Sequence, residues 1–140
     1  MSEKNLPFSK SHIEEIIQQF PTPIYIYDEQ EIRESARRLQ GAFSWVAPVF
    51  KNYFAVKATP NPSILEIVKE EGQGADCSSL PELMLARSVG MTGEDIMFTS
   101  NNTPAEEFKE ARKINAIINL DDITHIEFLD HHGRAVLVHL

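Results

Sequence analysis

One lysine in this sequence stands where an amine could do chemistry. Lys57 lies near the end of residues 53–58 (YFAVKA), whose aromatic and β-branched side chains favour a strand. Alternation along a strand places Tyr53, Ala55 and Lys57 on one face. An amine withdrawn from water on that face would lose its proton more readily, and a neutral amine can attack a carbonyl carbon to form a Schiff base. The alternative is a strand-end lysine whose charged tip reaches back to water.

Other residue types that carry chemistry form weaker patterns. Cys77 is the single cysteine, so no internal disulfide can form, which is typical of a protein in a reducing compartment. His131 and His132 are adjacent in a polar segment, and we interpret them as surface residues. Because no C-x-x-C or H-E-x-x-H spacing occurs, we expect no metal site.

The elements that must position Lys57 repeat along the chain. Apolar markers of the predicted strands fall at Val56, Cys77, Phe98, Ile118 and Val136, at intervals of 21, 21, 20 and 18 residues. A helix fits between each pair of strands, so the repeat predicts an α/β fold with a parallel sheet and right-handed crossovers.

Helix-start and helix-stop residues separate these strands. Asn61 followed by Pro62 predicts a helix start, while Gly72 and Gly90 predict helix ends. Further helix starts are predicted from capping boxes at residues 11–14, 79–82 and 103–106, and from Asp28 and Asp122.

Two architectures are built from such repeats, an open doubly wound sheet and a (β/α)8 barrel. No G-x-G-x-x-G follows the first predicted strand, which disfavours a dinucleotide-binding doubly wound fold. A complete TIM-like barrel needs about 250 residues, and this chain of 140 residues offers five such strands. We therefore predict the N-terminal part of a (β/α)8 barrel, about half of it, in residues 29–140, preceded by a helix and an extended segment in residues 1–28. Lys57 would then point into the lumen at the carboxyl end of its strand, where barrel active sites are built.

Composition narrows the class of protein further. The chain is 42% hydrophobic and 24% charged, with a net charge of −8, which fits a globular protein and disfavours binding to nucleic acid. No apolar run approaches the roughly 20 residues of a membrane helix, and the N-terminus lacks the pattern of a secretory signal. We expect a cytoplasmic protein without a membrane partner.

Five segments together resemble one enzyme family. Residues 53–58 with Asn61 are similar to the Y-A-V-K-A-N signature of the pyridoxal-phosphate decarboxylases of the alanine-racemase fold (fold type III), which act on diaminopimelate, ornithine and arginine. The remaining segments are residues 22–28 (TPIYIYD), similar to T-P-x-Y-V-Y-D, residues 74–83 (GADCSSLPEL), similar to G-x-D-x-x-S-x-x-E-L, residues 98–103 (FTSNNT), similar to G-N-x-K, and residues 118–121 (INLD), similar to I-N-x-D/E-S. Their shared order and spacing carry the resemblance.

The resemblance implies a cofactor and two site residues. The cofactor is pyridoxal 5′-phosphate, and Lys57 is the lysine that bonds to its aldehyde. Asp76 matches the acidic residue that lies near this lysine in the family. Such a carboxylate would favour the charged amine and so oppose the effect of desolvation. The alternative for Asp76 is a carboxylate that interacts with the dipole of the following helix.

The resemblance also implies an activity and its partners. Among the family, the chain is most similar to the diaminopimelate decarboxylases of lysine biosynthesis, which convert meso-diaminopimelate to L-lysine and whose substrate is a small amino acid. Alternatives are decarboxylation of ornithine, arginine or lysine, a non-catalytic half-barrel, or the pyridoxal-phosphate-binding homeostasis protein. Residues 22–23 (TP) argue against the last of these, because the corresponding strand of the decarboxylases pairs with a C-terminal β-domain that the homeostasis protein lacks. The full-length protein is expected to be a homodimer.

Three departures and one gap limit what the resemblance implies. Thr59 and Thr103 stand at loop positions where the family more often has Asn and Lys, which blurs the substrate assignment more than the fold. His139 stands where the family usually has Arg. The family's phosphate loop, ring-nitrogen partner and C-terminal β-domain have no counterpart in this sequence. We therefore expect the chain alone to be inactive, and to aggregate because a partial barrel leaves strand edges open.

Overall fold

A five-stranded parallel sheet forms the centre of the fold. The computed structural model describes residues 6–46, 50–132 and 138–139. The strands follow each other across the sheet in chain order, and each neighbouring pair is parallel. This sequential order is that of a barrel wall, because a doubly wound sheet reverses its strand order at a switch point. The predicted barrel-like α/β fold is therefore confirmed. The strands are β1 (Tyr53–Ala55), β2 (Gly74–Cys77), β3 (Ile96–Thr99), β4 (Ile117–Asn119) and β5 (Val138–His139).

Helices connect the strands, and two more precede the sheet. Single 3-10 turns lie at Ser44–Val46, Val56–Ala58 and Gly93–Asp95. None of the described helices is both long and apolar enough to cross a membrane. The helices are α1 (Lys10–Gln19), α2 (Glu29–Ala42), α3 (Pro62–Glu70), α4 (Leu80–Ser88), α5 (Ala105–Lys113) and α6 (His125–His132).

The hydrophobic core lies between the helices and one face of the sheet. In β3, Ile96 and Phe98 are fully buried, while the alternate residues Met97 and Thr99 are only half-buried. The face of the sheet away from the helices carries polar side chains as well, among them Asp76 and Thr99. Fully buried core residues are Val56, Leu65, Ala75, Cys77, Leu83, Ala86, Met91, Ile96, Phe98, Ala111 and Ile118.

Several predicted helix boundaries are confirmed by their local geometry. Gly72 and Gly90 end helices in the left-handed region, with φ of +76° and +77°, which glycine adopts without steric cost. The Asn61 side chain accepts a hydrogen bond from the Ser63 amide at 2.9 Å and begins α3. The Asp28 carboxylate accepts one from the Glu31 amide at 3.1 Å and begins α2.

Two predicted capping boxes are wrong. The hydroxyl of Ser9, rather than that of Ser11, accepts the hydrogen bond of the first turn of α1, from the His12 amide at 3.2 Å. Helix α5 begins after Pro104, and the Thr103 hydroxyl donates instead to the Ser100 carbonyl at 2.9 Å. Ser and Thr side chains hydrogen-bond several nearby backbone groups almost equally well, so the spacing alone does not select the cap.

One predicted extended segment is unpaired in the structure, and the last predicted strand lies partly outside the described residues. The extended segment at residues 24–27 has no strand pairing among the described residues. Of the last predicted strand, marked by Val136, the structure describes Val138–His139 as β5, and Val136 itself lies outside the described residues.

Charged side chains fasten α2 to the end of α3. Arg33 contacts Glu71 at 3.1 Å and Glu70 at 2.7 Å, and Arg37 contacts Glu71 at 2.7 Å. The Glu71 side chain is only 9% exposed, and the Arg37 guanidinium lowers the pKa of its carboxyl despite that burial. These long-range pairs hold α2 against the helix that follows β1.

Candidate active site

Lys57 lies in the 3-10 turn Val56–Ala58, directly after β1. The predicted strand over residues 53–58 is therefore too long, because β1 ends at Ala55. Val56 turns into the core and is fully buried, whereas Lys57 is exposed. The turn is closed by the Thr59 amide, which donates to the Val56 carbonyl at 3.1 Å. Lys57 thus lies at the predicted carboxyl end of the first strand, and its exposure agrees with the alternative interpretation of a strand-end lysine whose charged tip reaches water.

Asp76 lies on the neighbouring strand β2, where it pairs in register with Ala55. Its side chain is half-buried, and its Oδ1 atom is buried without a hydrogen-bond partner among the described residues. Burial raises the pKa of the Asp76 carboxyl, and the Thr99 hydroxyl and the Lys57 ammonium partly oppose this rise. Asp76 and Lys57 are therefore close enough to interact electrostatically, as the resemblance implies.

A close approach between strands fixes the backbone beside Asp76. A Cβ atom at Gly74 would lie 2.5 Å from Cδ1 of Tyr53 and 2.8 Å from the Asp95 carbonyl oxygen, so only glycine fits there. The Tyr53 hydroxyl is itself held by donating to the Glu94 carbonyl at 2.8 Å. The glycine two positions before Asp76 thus allows the ring of Tyr53 to pack on the same face of the sheet.

Glu82 braces the loop that follows β2. Its carboxylate accepts a hydrogen bond from the Ser78 amide at 2.9 Å and one from the Ser79 hydroxyl at 3.1 Å. The Ser79 side chain makes no capping hydrogen bond to the helix backbone, so the predicted capping box at residues 79–82 is only half formed. The brace holds the loop after Cys77 close to the sheet.

A polar pocket of about 230 Å³ joins the carboxyl ends of the strands. Its lining comes from the loops after β1, β2, β3 and β4, which are the loops that carry chemistry in parallel barrels. The sequence motifs contained all six of these residues, but only Lys57 among them was assigned a role. The lining residues are Lys57, Ser78, Thr99, Ser100, Asn101 and Asp121.

Cysteine and histidine contribute little to this pocket. Cys77 is fully buried on the core face of β2, and burial raises the pKa of its thiol to about 12, so the thiol is not a nucleophile near neutral pH. His131 is exposed on α6, as interpreted from the sequence. The described part of the chain holds no cluster of His, Cys, Asp and Glu that could bind a metal ion.

Comparisons with known proteins agree with this geometry. The sequence profile of a family described as "Pyridoxal-dependent decarboxylase, pyridoxal binding domain" matches residues 29–139. Protein TabA of Pseudomonas amygdali pv. tabaci is 45% identical over 115 residues, which are 82% of this chain and 27% of TabA. A diaminopimelate decarboxylase of Methanothermobacter thermautotrophicus is 36% identical over 107 residues, which are 76% of this chain and 25% of that protein.

A solved structure supports the same likeness. The diaminopimelate decarboxylase of Helicobacter pylori, crystallised with L-lysine, has a TM-score of 0.75 at 28% identity and covers 86% of this chain and 30% of its own. The chain spans about a quarter of the length of the two curated relatives named above.

Proposed function

This chain belongs to the pyridoxal-dependent decarboxylases, as part of their pyridoxal-binding domain, and on that premise we propose that the whole protein decarboxylates a diamino acid at a site containing Lys57. The observation that supports the proposal most is the placement of Lys57 beside the Asp76 carboxyl, at the carboxyl ends of β1 and β2. We propose meso-diaminopimelate as the substrate and L-lysine as the product, because the similarity to diaminopimelate decarboxylases extends over most of the chain.

Pyridoxal phosphate, the cofactor of this family, fits the chemical groups at the site. Its aldehyde requires a primary amine, which Lys57 supplies. The Oδ1 atom of Asp76 is a buried acceptor without a donor, and a bound molecule with an N–H group would satisfy it. Hydroxyl and amide groups of Ser78, Ser100 and Asn101 line the same pocket and can donate to polar substituents of a ligand.

The residues of this chain have distinct roles in the proposed reaction. When bound, pyridoxal phosphate acts as an electron sink for the pair left on Cα after the bond to the carboxylate breaks and carbon dioxide departs. Lys57 must lose a proton before its nitrogen can attack, and its exposed position lets water accept that proton. Ionised Asp76 attracts the ammonium form of Lys57 and so keeps the side chain near the pocket while it is not bonded to the cofactor. The Asp121 carboxylate lines the pocket and favours a cationic group of the substrate.

The alternative substrates are ornithine, arginine and lysine. They share the reacting α-amino and α-carboxylate groups with diaminopimelate and differ at the far end of the side chain. The pocket residues described above lie where the reacting groups would bind, so they support decarboxylation as a reaction class more strongly than one substrate.

We propose further that residues 1–28 serve a second domain rather than the barrel. Within the described part of this region, the side chains of Phe20 and Tyr25 are 59% and 90% exposed, and Tyr27 is exposed as well. A C-terminal β-domain that pairs with residues 24–27 would cover these aromatic rings. A homodimer is proposed for the whole protein on the resemblance alone.

The proposal is tested by measuring carbon dioxide release from the whole protein with pyridoxal phosphate. Each of meso-diaminopimelate, ornithine, arginine and lysine is supplied as sole substrate. We expect release from meso-diaminopimelate and its loss in Lys57→Ala, with Lys113→Ala as the matched control because that side chain is 71% exposed on α5. Full activity of Lys57→Ala would refute the assignment, and release from ornithine alone would select the alternative substrate.

A further inference from the structure

Thr99 lies between two polar side chains on the face of the sheet that carries Lys57. It is the last residue of β3 and pairs in register with Asn119, the last residue of β4. The Asn119 amide Nδ2 donates a hydrogen bond to Thr99 Oγ1 at 3.3 Å. Because Oγ1 already accepts this bond, the hydroxyl hydrogen of Thr99 is free to point away from Asn119.

The strand on the other side of β3 is β2. Asp76 pairs with Met97, two residues before Thr99 on the same face of β3, so the Thr99 hydroxyl lies diagonally across from the Asp76 carboxyl. The buried Oδ1 atom of Asp76 has no hydrogen-bond partner among the described residues, so it is an acceptor that the Thr99 hydroxyl could satisfy. The nearby Thr99 side chain also lowers the pKa of that carboxyl. One polar row therefore crosses the carboxyl ends of four neighbouring strands. It consists of Asn119 on β4, Thr99 on β3, Asp76 on β2 and Lys57 directly after β1.

We propose that Thr99 is a positioning residue, whose hydroxyl, oriented by Asn119, holds the Asp76 carboxylate toward the Lys57 nitrogen. The inference rests on the proposed function, since Lys57 is there the residue that bonds to pyridoxal phosphate. Thr99 acts through Asp76 and not on the reacting atoms.

Other charged groups near Asp76 bear on how it titrates. Glu82 on α4 raises the pKa of the Asp76 carboxyl, and Lys57, which follows β1, lowers it. Asp121, which follows β4, lies on the same pocket as Lys57. None of these three residues is changed in the variants below. A change in the titration of Asp76 is therefore assigned to Thr99 and Asn119.

The first experiment needs no cofactor. The carboxyl carbon of Asp76 is followed by 13C NMR as a function of pH in the whole protein and in its Thr99→Val variant, which keeps the shape of the side chain but removes the hydroxyl. We expect the midpoint to move to higher pH in Thr99→Val and to return in Thr99→Ser. Asn119→Ala is expected to move it in the same direction by a smaller amount, and adding Asn119→Ala to Thr99→Val should cause no further movement, because Asn119 acts through Thr99.

The second experiment follows capture of pyridoxal phosphate by Lys57, using absorbance, over the same pH range in the whole protein. Thr99→Val should slow capture near neutral pH by about twofold to tenfold, the range that one ordinary hydrogen bond spans, and should shift the pH profile in the direction seen by NMR. Thr99→Ser should restore both.

The two experiments separate the inference from the proposed function. An unchanged Asp76 midpoint in a folded Thr99→Val variant, or additive shifts in the double variant, would overturn the inference. A shifted midpoint with no capture by Lys57 in any variant would instead overturn the proposed function and leave the positioning of Asp76 supported.

Discussion

Replacing Asp76 with asparagine should make the folded chain more stable near neutral pH. The Oδ1 atom is buried without a partner, and a buried unsatisfied polar group costs about 1–3 kcal/mol, more when it is charged. Asparagine keeps a polar atom but removes the charge. The lost attraction to exposed Lys57 amounts to about 0–1 kcal/mol. We expect a net gain of about 1 kcal/mol in the free energy of unfolding, or roughly 2–5 °C in melting temperature.

The pH dependence of this gain follows from the sign of the pKa shift. Burial raises the pKa of Asp76 in the folded chain above its ordinary value of 3.8, so the folded chain binds the proton more tightly than the unfolded chain does. The contribution of Asp76 to the free energy of unfolding therefore falls as pH rises from 3.8 through the raised pKa. At pH values above the raised pKa, the gain from Asp76→Asn reaches its full size. Below pH 3.8 both states are protonated and the gain disappears.

The assay is thermal or urea unfolding at low protein concentration, near neutral pH and again below pH 3.8. Asp122→Asn is the matched control, because the Thr124 hydroxyl and amide lower the pKa of Asp122. The contribution of Asp122 to the free energy of unfolding therefore rises with pH, whereas that of Asp76 falls. Destabilisation by Asp76→Asn near neutral pH, or a gain of the same size at both pH values, would show that the Asp76 carboxylate is not an unsatisfied buried charge.

Three further predictions use other parts of the chain. Gly74→Ala should lower the free energy of unfolding by about 1–3 kcal/mol, because the new Cβ would meet the Tyr53 ring at 2.5 Å. Gly41→Ala, whose new Cβ would have nothing within 4 Å, should raise the free energy of unfolding by about 0.5–1 kcal/mol. Equal effects of the two variants in urea unfolding would contradict the clash at Gly74. The Cys77 thiol should resist alkylation by iodoacetamide in the folded chain and react once urea unfolds it, since it is fully buried with a pKa raised to about 12; rapid labelling without denaturant would disprove its burial. Residues 1–140 expressed alone should release no carbon dioxide from meso-diaminopimelate with pyridoxal phosphate, because they span about a quarter of the length of the curated relatives; release at a rate that depends on Lys57 would refute this.

The sequence predicted the elements better than their ends. Strand and helix alternation could be read because buried strands are short apolar runs, and because Gly72 and Gly90 end helices by a backbone conformation that few other residues adopt. The end of β1 could not be read, because residues 53–58 are uniformly compatible with a strand and the turn at Val56–Ala58 depends on packing of Val56 into the core.

The candidate site was predicted in part. Lys57 and Asp76 were predicted as site residues from a family resemblance, and the structure places them close enough to interact electrostatically. The contact between Thr99 and Asn119 joins residues twenty positions apart, and depends on the register of β3 against β4. Local sequence does not encode that register, so a polar residue at a strand end cannot be assigned a partner before the sheet is known. The exposure of Lys57 was one of two interpretations that the sequence left open, because exposure depends on which elements cover the face of the sheet.

The central claim is that the Lys57 nitrogen bonds to the aldehyde of pyridoxal phosphate. The whole protein is mixed with pyridoxal phosphate, reduced with borohydride, digested and mapped by mass spectrometry. The account predicts that the reduced adduct lies on Lys57, and that Lys57→Ala abolishes it while Lys113→Ala leaves it intact. An adduct on another lysine, at equal yield with and without Lys57, would contradict the account.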